Sequence, residues 1–286
     1  MSKILISQEV YASILEASLN YPINNSRLIE FSQSEFAEMS HSLLNFTTNN
    51  KNLNQFIKLE LDKSFFLVME INSNGKRFND LNHKKYFSGK NSKEKLLQLG
   101  QVIAFEIFCN NFARSPLNWN EHTFFSNLIF YNKPNSNGWY FSIIHSNVNR
   151  YNDSLFSRGY REQINRLKLL LFSIFQNQNH QSQEIRKMKD FLSKVLHINL
   201  PSSSHIYLQR GIVIGVESIV SNISFTMLES AKQKIKNLII IDTQNNQWKN
   251  GINSIYYCPF LLDVLNDFVL DYSNFKEKKI KINLIL

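Results

Sequence analysis

The sequence predicts an α+β fold in which a mixed stretch of short strands and helices precedes a mainly helical remainder. Three observations predict it. Residues 95–112 are strongly apolar over a length that suits a helix and exceeds a strand. Residues 65–71 and 139–144 are short apolar runs bounded by turn-forming residues, as strands are. From residue 154 onward, apolar residues recur mostly at helical spacing. A chain of 286 residues suits one large domain or two lobes sharing a cleft.

Taken in order, residues 7–19 read as an amphipathic helix. Val10, Ile14, Leu15 and Leu19 share a face, and Ser7 is the expected N-cap. Tyr21 and Pro22 stop it. Residues 27–31 read as a strand and 34–45 as a second helix, while 50–54 are polar enough to read as a loop. The strand at 65–71 ends at the turn sequence NSNG. Residues 127–131 and 139–144 read as paired strands joined by the turn-rich NKPNSNG. Further helices are expected at 161–175, 184–196, 211–220, 225–238 and 259–271, with a polar loop at 176–183. No internal repeat is visible.

The formal net charge is +9, which suits an acidic partner such as nucleic acid, an anionic membrane surface or actin. The basic residues form few clusters, so a scattered solvated surface is the simpler reading, and no nucleic-acid-binding motif accompanies the charge. Cys109 and Cys258 are far apart, with no CxxC or Cys/His ligand spacing, which speaks against zinc and fits a reducing, cytoplasmic setting. The N-terminal pattern carries Glu9 and Glu16 and is not that of a secretory leader. No apolar run approaches membrane-spanning length.

The most specific segment is LGQVIAFEIFCNNFARSPLNWNEHTFFSNLIFY, residues 99–131, followed by a β-like run that gives way to His145. It resembles the catalytic loop and metal-binding segment of the actin-fragmin kinase family, a divergent branch of the protein-kinase and lipid-kinase superfamily. The frame of that family survives as Asn110, Asn111, Arg114, Pro116, Trp119 and Asn127. Two acids do not. Ala113 stands where the loop Asp belongs, and His145 where the metal-binding Asp belongs. Phosphoryl transfer needs one carboxylate to orient the attacking hydroxyl and another to hold magnesium. A methyl group does neither, and imidazole is a poor ligand for a hard cation that prefers oxygen.

The resemblance extends beyond the loop. SQEVYASILEASLNYPINNSRLIEF matches the family's helix and following strand, placing Glu9 at the glutamate that pairs with the nucleotide-binding Lys of an active kinase. FFLVMEI matches the hinge strand, so Met69, Glu70 and Ile71 take the nucleotide-hinge positions. DFLSKVLHINL and GIVIGVESIV are similar to parts of the helical large lobe. The implied architecture is a protein-kinase-like two-lobed fold with a reduced N-terminal lobe and a mainly helical C-terminal lobe. Residues 1–75 would be a partial small lobe and hinge, and 76–286 a large lobe with a catalytic-loop remnant. The chain starts at the Glu9 helix, so a Gly-rich phosphate loop and its Lys are expected to be lacking. Ser126 stands where the family has Gly, and Glu106 where it has Asp.

The individual residues also have plainer readings. Glu9 reads as a solvated helix glutamate. Arg114 reads as a loop anchor, and Asn110 and Asn111 as caps of the long helix. Asn127 is either a strand-edge residue or a lone metal ligand, and both readings stay open. His145 beside Ser146 lacks an acidic orienter, and Asp153 and Asp242 sit in surface turns outside any motif. The resemblance implies a pseudokinase that works by binding, with no cofactor. Its expected partners are actin or an actin-associated protein, a second copy, or an active kinase relative. The alternative is an active serine/threonine kinase using ATP and magnesium with displaced catalytic residues, Glu106 or Asp153 supplying the acids.

Overall fold

A computed structural model describes residues 3–22, 26–62, 65–69, 74–111, 128–136, 138–144, 158–238, 252–253, 255 and 257–285. It is mostly helical with small antiparallel sheets, an α+β architecture consistent with a kinase-like fold. The chain divides into two compact units, residues 24–73 and the remainder.

In the smaller unit, β1 (Ser26–Glu30) pairs antiparallel with β2 (Phe65–Met69), with Ser26 opposite Met69 and Leu28 opposite Leu67. Between these strands lie two helices, α2 (Ser34–Phe46) and α3 (Lys51–Leu61). The expected loop at 50–54 is the start of α3. Asn50 is not a loop residue but the N-cap, its side chain accepting from the Leu53 N–H at 3.1 Å. The two helices are stitched by Asn54, whose amide donates to Thr47 Oγ1 at 3.0 Å and to the Leu44 carbonyl at 3.2 Å. Neither helix buries a residue fully. Phe46 is 85% exposed, Leu59 63% and Phe56 56%.

The larger unit begins with α1 (Lys3–Ser18). Ser7 is inside this helix and buried, not at its cap, because the helix starts a turn earlier. Tyr11, Ala12 and Leu15 are fully buried. After β3 (Lys76–Arg77), a turn of 3-10 helix at Phe78–Asp80 and the short α4 (His83–Ser88) comes α5 (Ser92–Phe108). Then β4 (Leu128–Phe130) and β5 (Phe141–Ile143) form a hairpin, and β3 pairs on the other side of β4. The remainder is α6 (Arg158–Gln176), α7 (Gln183–Lys194), α8 (Ser204–Asn222), α9 (Phe225–Lys236) and α10 (Tyr257–Ile285).

The core of this unit is the crossing of α5 and α8. Gly100 and Ala104 on α5 meet Gly211 and Gly215 on α8, four residues apart on each helix. A Cβ on Gly211 would lie 2.0 Å from the Leu97 carbonyl oxygen, and one on Gly100 would lie 2.2 Å from that of Leu208. Backbone touches backbone here, which only the absence of side chains allows. α8 is longer than the expected 211–220 for the same reason: its glycines are contact points inside a helix rather than breaks. Among the described residues no single helix is long and apolar enough to cross a membrane.

Candidate functional site

The site is built from the end of α5. Twelve of its seventeen residues are buried, because the helix is surrounded rather than lying at the surface. It stops at Phe108, four residues short of the expected end. Cys109 is the C-cap, and Asn110 takes the left-handed conformation, at φ 57°. The Asn111 N–H then donates to the Glu106 carbonyl at 2.8 Å, and the Asn110 N–H to that of Ile107 at 3.0 Å. These two bonds form a Schellman motif, with asparagine in the position usually held by glycine. Asn tolerates this backbone better than other non-glycine residues.

The side chains then lock the turn. The Asn111 amide donates to the Glu106 carboxylate, and Glu106, Asn110 and Asn111 are all buried. From α6, the Tyr160 hydroxyl donates to Asn110 Oδ1 at 3.1 Å in a buried contact. The root of the loop is thus a polar node of Glu106, Asn110, Asn111 and Tyr160, set in an apolar surround.

The β4–β5 hairpin is fastened to the same helix. Gln98 of α5 donates to the Gly138 carbonyl at 2.9 Å and accepts from the Tyr140 N–H at 3.1 Å. The Tyr86 hydroxyl donates to the Tyr140 carbonyl at 2.8 Å. The Ile143 N–H donates to the Pro22 carbonyl at 2.8 Å, which ties β5 to the chain leaving α1. In the ladder Leu128 is opposite Ile143, so the start of β4 and the end of β5 lie side by side.

Of the residues picked from sequence, Glu106, Asn110 and Asn111 come together at the end of α5. Glu9 is on α1 and only 3% exposed, so it is not the solvated glutamate expected; it is engaged within the fold. Met69 ends β2 in the smaller unit. Ala113, Arg114, Pro116, Trp119, Asn127, His145, Asp153, Asp242, Glu70 and Ile71 lie outside the described residues. Tyr160 and Gln98 escaped sequence reading, since their partners are 50 and 42 residues away and neither sits in a motif.

Cys109 and Cys258 are buried free thiols. Burial pushes the Cys109 thiol well up, with Cys258 beside it adding to the effect, so Cys109 is a packing residue and not a nucleophile. Among the described residues no cluster of three or more His, Cys, Asp or Glu side chains is placed to hold a metal ion.

The fold defines a mostly helical α+β protein whose long buried helix ends in an Asn-Asn turn and holds a short hairpin through Gln98, an arrangement consistent with a kinase-like fold. The profile of the actin-fragmin kinase catalytic domain matches residues 1–216, and the chain belongs to that family. Several Dictyostelium discoideum proteins that carry the provisional name actin-fragmin kinase are similar along almost all of it. One is 54% identical over 276 residues, covering 96% of this chain and 63% of the relative. A second is 52% identical over 274 residues, covering 96% and 66%. A third is 50% identical over 273 residues, covering 95% and 65%. The chain spans about two thirds of the length of these relatives.

Proposed function

We propose that this chain is a catalytically inactive member of the actin-fragmin kinase family that works by binding, in the cytoplasm. The observation that carries the reading is the pair Ala113 and His145, which occupy the two positions where the family's frame has catalytic acids. The Ala113 methyl cannot accept the proton of an attacking hydroxyl, and the His145 imidazole offers no oxygen ligand for magnesium.

Two features support it. Glu106, an acid near enough in sequence to stand in, is held at the end of α5 by the Asn111 amide and backbone. Using it as a base would break the turn that shapes the loop. The exposed apolar side chains Phe46, Phe56 and Leu59 on α2 and α3 suit a protein partner. The names of the relatives make actin or an actin-associated protein the first to test.

The competing reading is an active serine/threonine kinase with displaced catalytic residues; the retained Asn127 and Arg114 favour it. Thermal unfolding with ATP, with and without magnesium, separates the two. A ligand at one hundred times its Kd stabilises by about 2.7 kcal/mol. In a domain near this size that is a rise of about 5–10 °C. The binding reading expects no magnesium-dependent rise at millimolar ATP; a clear one would overturn it.

A further inference from the structure

A second polar site lies at the other end of α5. Lys95, on the first turn, is 7% exposed, and its ammonium donates to the Tyr86 carbonyl at 3.1 Å. It sits over the Tyr86 ring at 3.7 Å and 5.1 Å from the centre of the Tyr140 ring. Among the described residues no carboxylate pairs with it. Lysine is seldom buried unless paired, because removing an ammonium from water is costly. One carbonyl and two ring faces offset part of that cost. They leave the ammonium with donors to spare.

Lys95 lines a cavity of about 540 Å³. Lys76 from β3 and Lys85 from α4 line it too, together with Asn82, Asn132 and Tyr86. Among the described residues neither Lys76 nor Lys85 forms an ion pair, and no acidic side chain lines the cavity. Asn82 Oδ1 accepts from the Lys85 backbone N–H at 3.0 Å, which leaves the side-chain NH2 as the donor available to a ligand. Three ammonium groups and two amides, in a cavity larger than a single phosphate needs, form a donor-rich, cationic lining.

We propose that this cavity binds a compact polyanion bearing two or more phosphate groups. The chemistry is charge-assisted hydrogen bonding from lysine to phosphate oxygens. The buried Lys95 forms the floor, where low dielectric strengthens the contact. Lys76 and Lys85 close over the outer phosphate. Desolvation pulls the Lys95 ammonium below its usual value in the free protein, and a bound anion would reverse this. The site is separate from the catalytic-loop remnant. Fifteen residues of helical rise put Lys95 about 22 Å from Asn110 along α5. The inference does not depend on whether the protein is an active kinase.

The test is isothermal titration with pyrophosphate and with tripolyphosphate at constant ionic strength. Parallel arms use a phosphothreonine peptide and a polyglutamate peptide. The expected result is saturable binding, tighter for tripolyphosphate and weakened about tenfold or more by Lys95→Met, which keeps the apolar stem. Lys76→Ala and Lys85→Ala change exposed side chains that the fold does not need, and each should weaken binding as well. Circular dichroism confirms that each variant is folded. Preferential binding of the phosphothreonine peptide would overturn the small-molecule assignment. Equal binding of polyglutamate, lack of saturation, or binding unchanged in all three variants would overturn the site. ATP enters the separate nucleotide test through magnesium dependence, and repeating that test in Lys95→Met keeps the two readings distinguishable.

Discussion

Replacing Gly211 by alanine places a methyl group where the structure has none to spare. The new Cβ would lie 2.0 Å from the Leu97 carbonyl oxygen and 2.9 Å from the Gly100 Cα. A relaxed carbon–oxygen contact is about 3.3 Å or more, so α5 and α8 must part by roughly 1 Å. The obstructing atoms are backbone, and no rotamer change relieves them. A gap of that size forfeits about a quarter to a half of the dispersion energy along the seam. Overpacking costs about 1–3 kcal/mol, and this case belongs at the upper end. Alanine returns about 1 kcal/mol through its better helix propensity. The net destabilisation is about 2 kcal/mol, a fall in Tm of about 4–8 °C by differential scanning calorimetry. Gly89→Ala is the control: its nearest neighbour would be 3.8 Å away and its φ is −75°. It should change Tm little or raise it slightly. A Gly211→Ala protein melting within about 1 °C of the parent would refute the close crossing, since only the propensity gain and the clash are in play.

Asn110→Ala should cost about 2–3 kcal/mol in urea unfolding, from the left-handed backbone and the lost Tyr160 bond, whereas Asn110→Gly should cost only about 1 kcal/mol because the backbone is then free; equal losses would remove the Schellman assignment. Tyr160→Phe should lower stability by about 1 kcal/mol without altering helix content by circular dichroism. Burial holds the His83 imidazole below its usual value, partly opposed by its hydrogen bond to the Phe78 carbonyl. The unfolded state therefore takes up a proton first, and His83 lowers stability progressively as pH falls below about 6.5. Comparing urea midpoints at neutral and mildly acidic pH should show a smaller drop in His83→Gln than in the parent, and an unchanged drop would remove His83 as a cause.

The parts of the fold legible in the sequence were those written in local pattern. The long apolar α5, the turn-bounded hairpin strands and the amphipathic α6, α7 and α9 all carry their own periodicity. The boundaries followed less well, because they depend on single caps. Asn110 ended α5 early through a left-handed turn that composition does not announce, and Asn50 opened a helix from a polar stretch that resembles a loop. Gly211 and Gly215 look like helix weaknesses until α5 is packed against them. At the candidate site, Ala113 and His145 draw notice in the sequence because they fall in a recognisable frame, and both lie outside the described residues. The Glu106–Asn111 lock was half readable, both residues being close in sequence, but Tyr160 joins it from another helix. Lys95 gave no sign in the sequence, since its burial and the lysines near it come from three different elements. Glu9 reads as solvated in the sequence, yet it is buried, because an isolated helix cannot show what covers its polar face.

The central claim is that the chain does not transfer phosphate. The most direct measurement is incorporation of label from γ-phosphate-labelled ATP into an actin–fragmin complex in the presence of magnesium, with an active family member as the positive control. The account predicts no incorporation above a protein-free blank, and none into the chain itself. Incorporation that vanishes in Asn127→Ala would contradict it, because it would show that the retained asparagine still serves a working metal site despite Ala113 and His145.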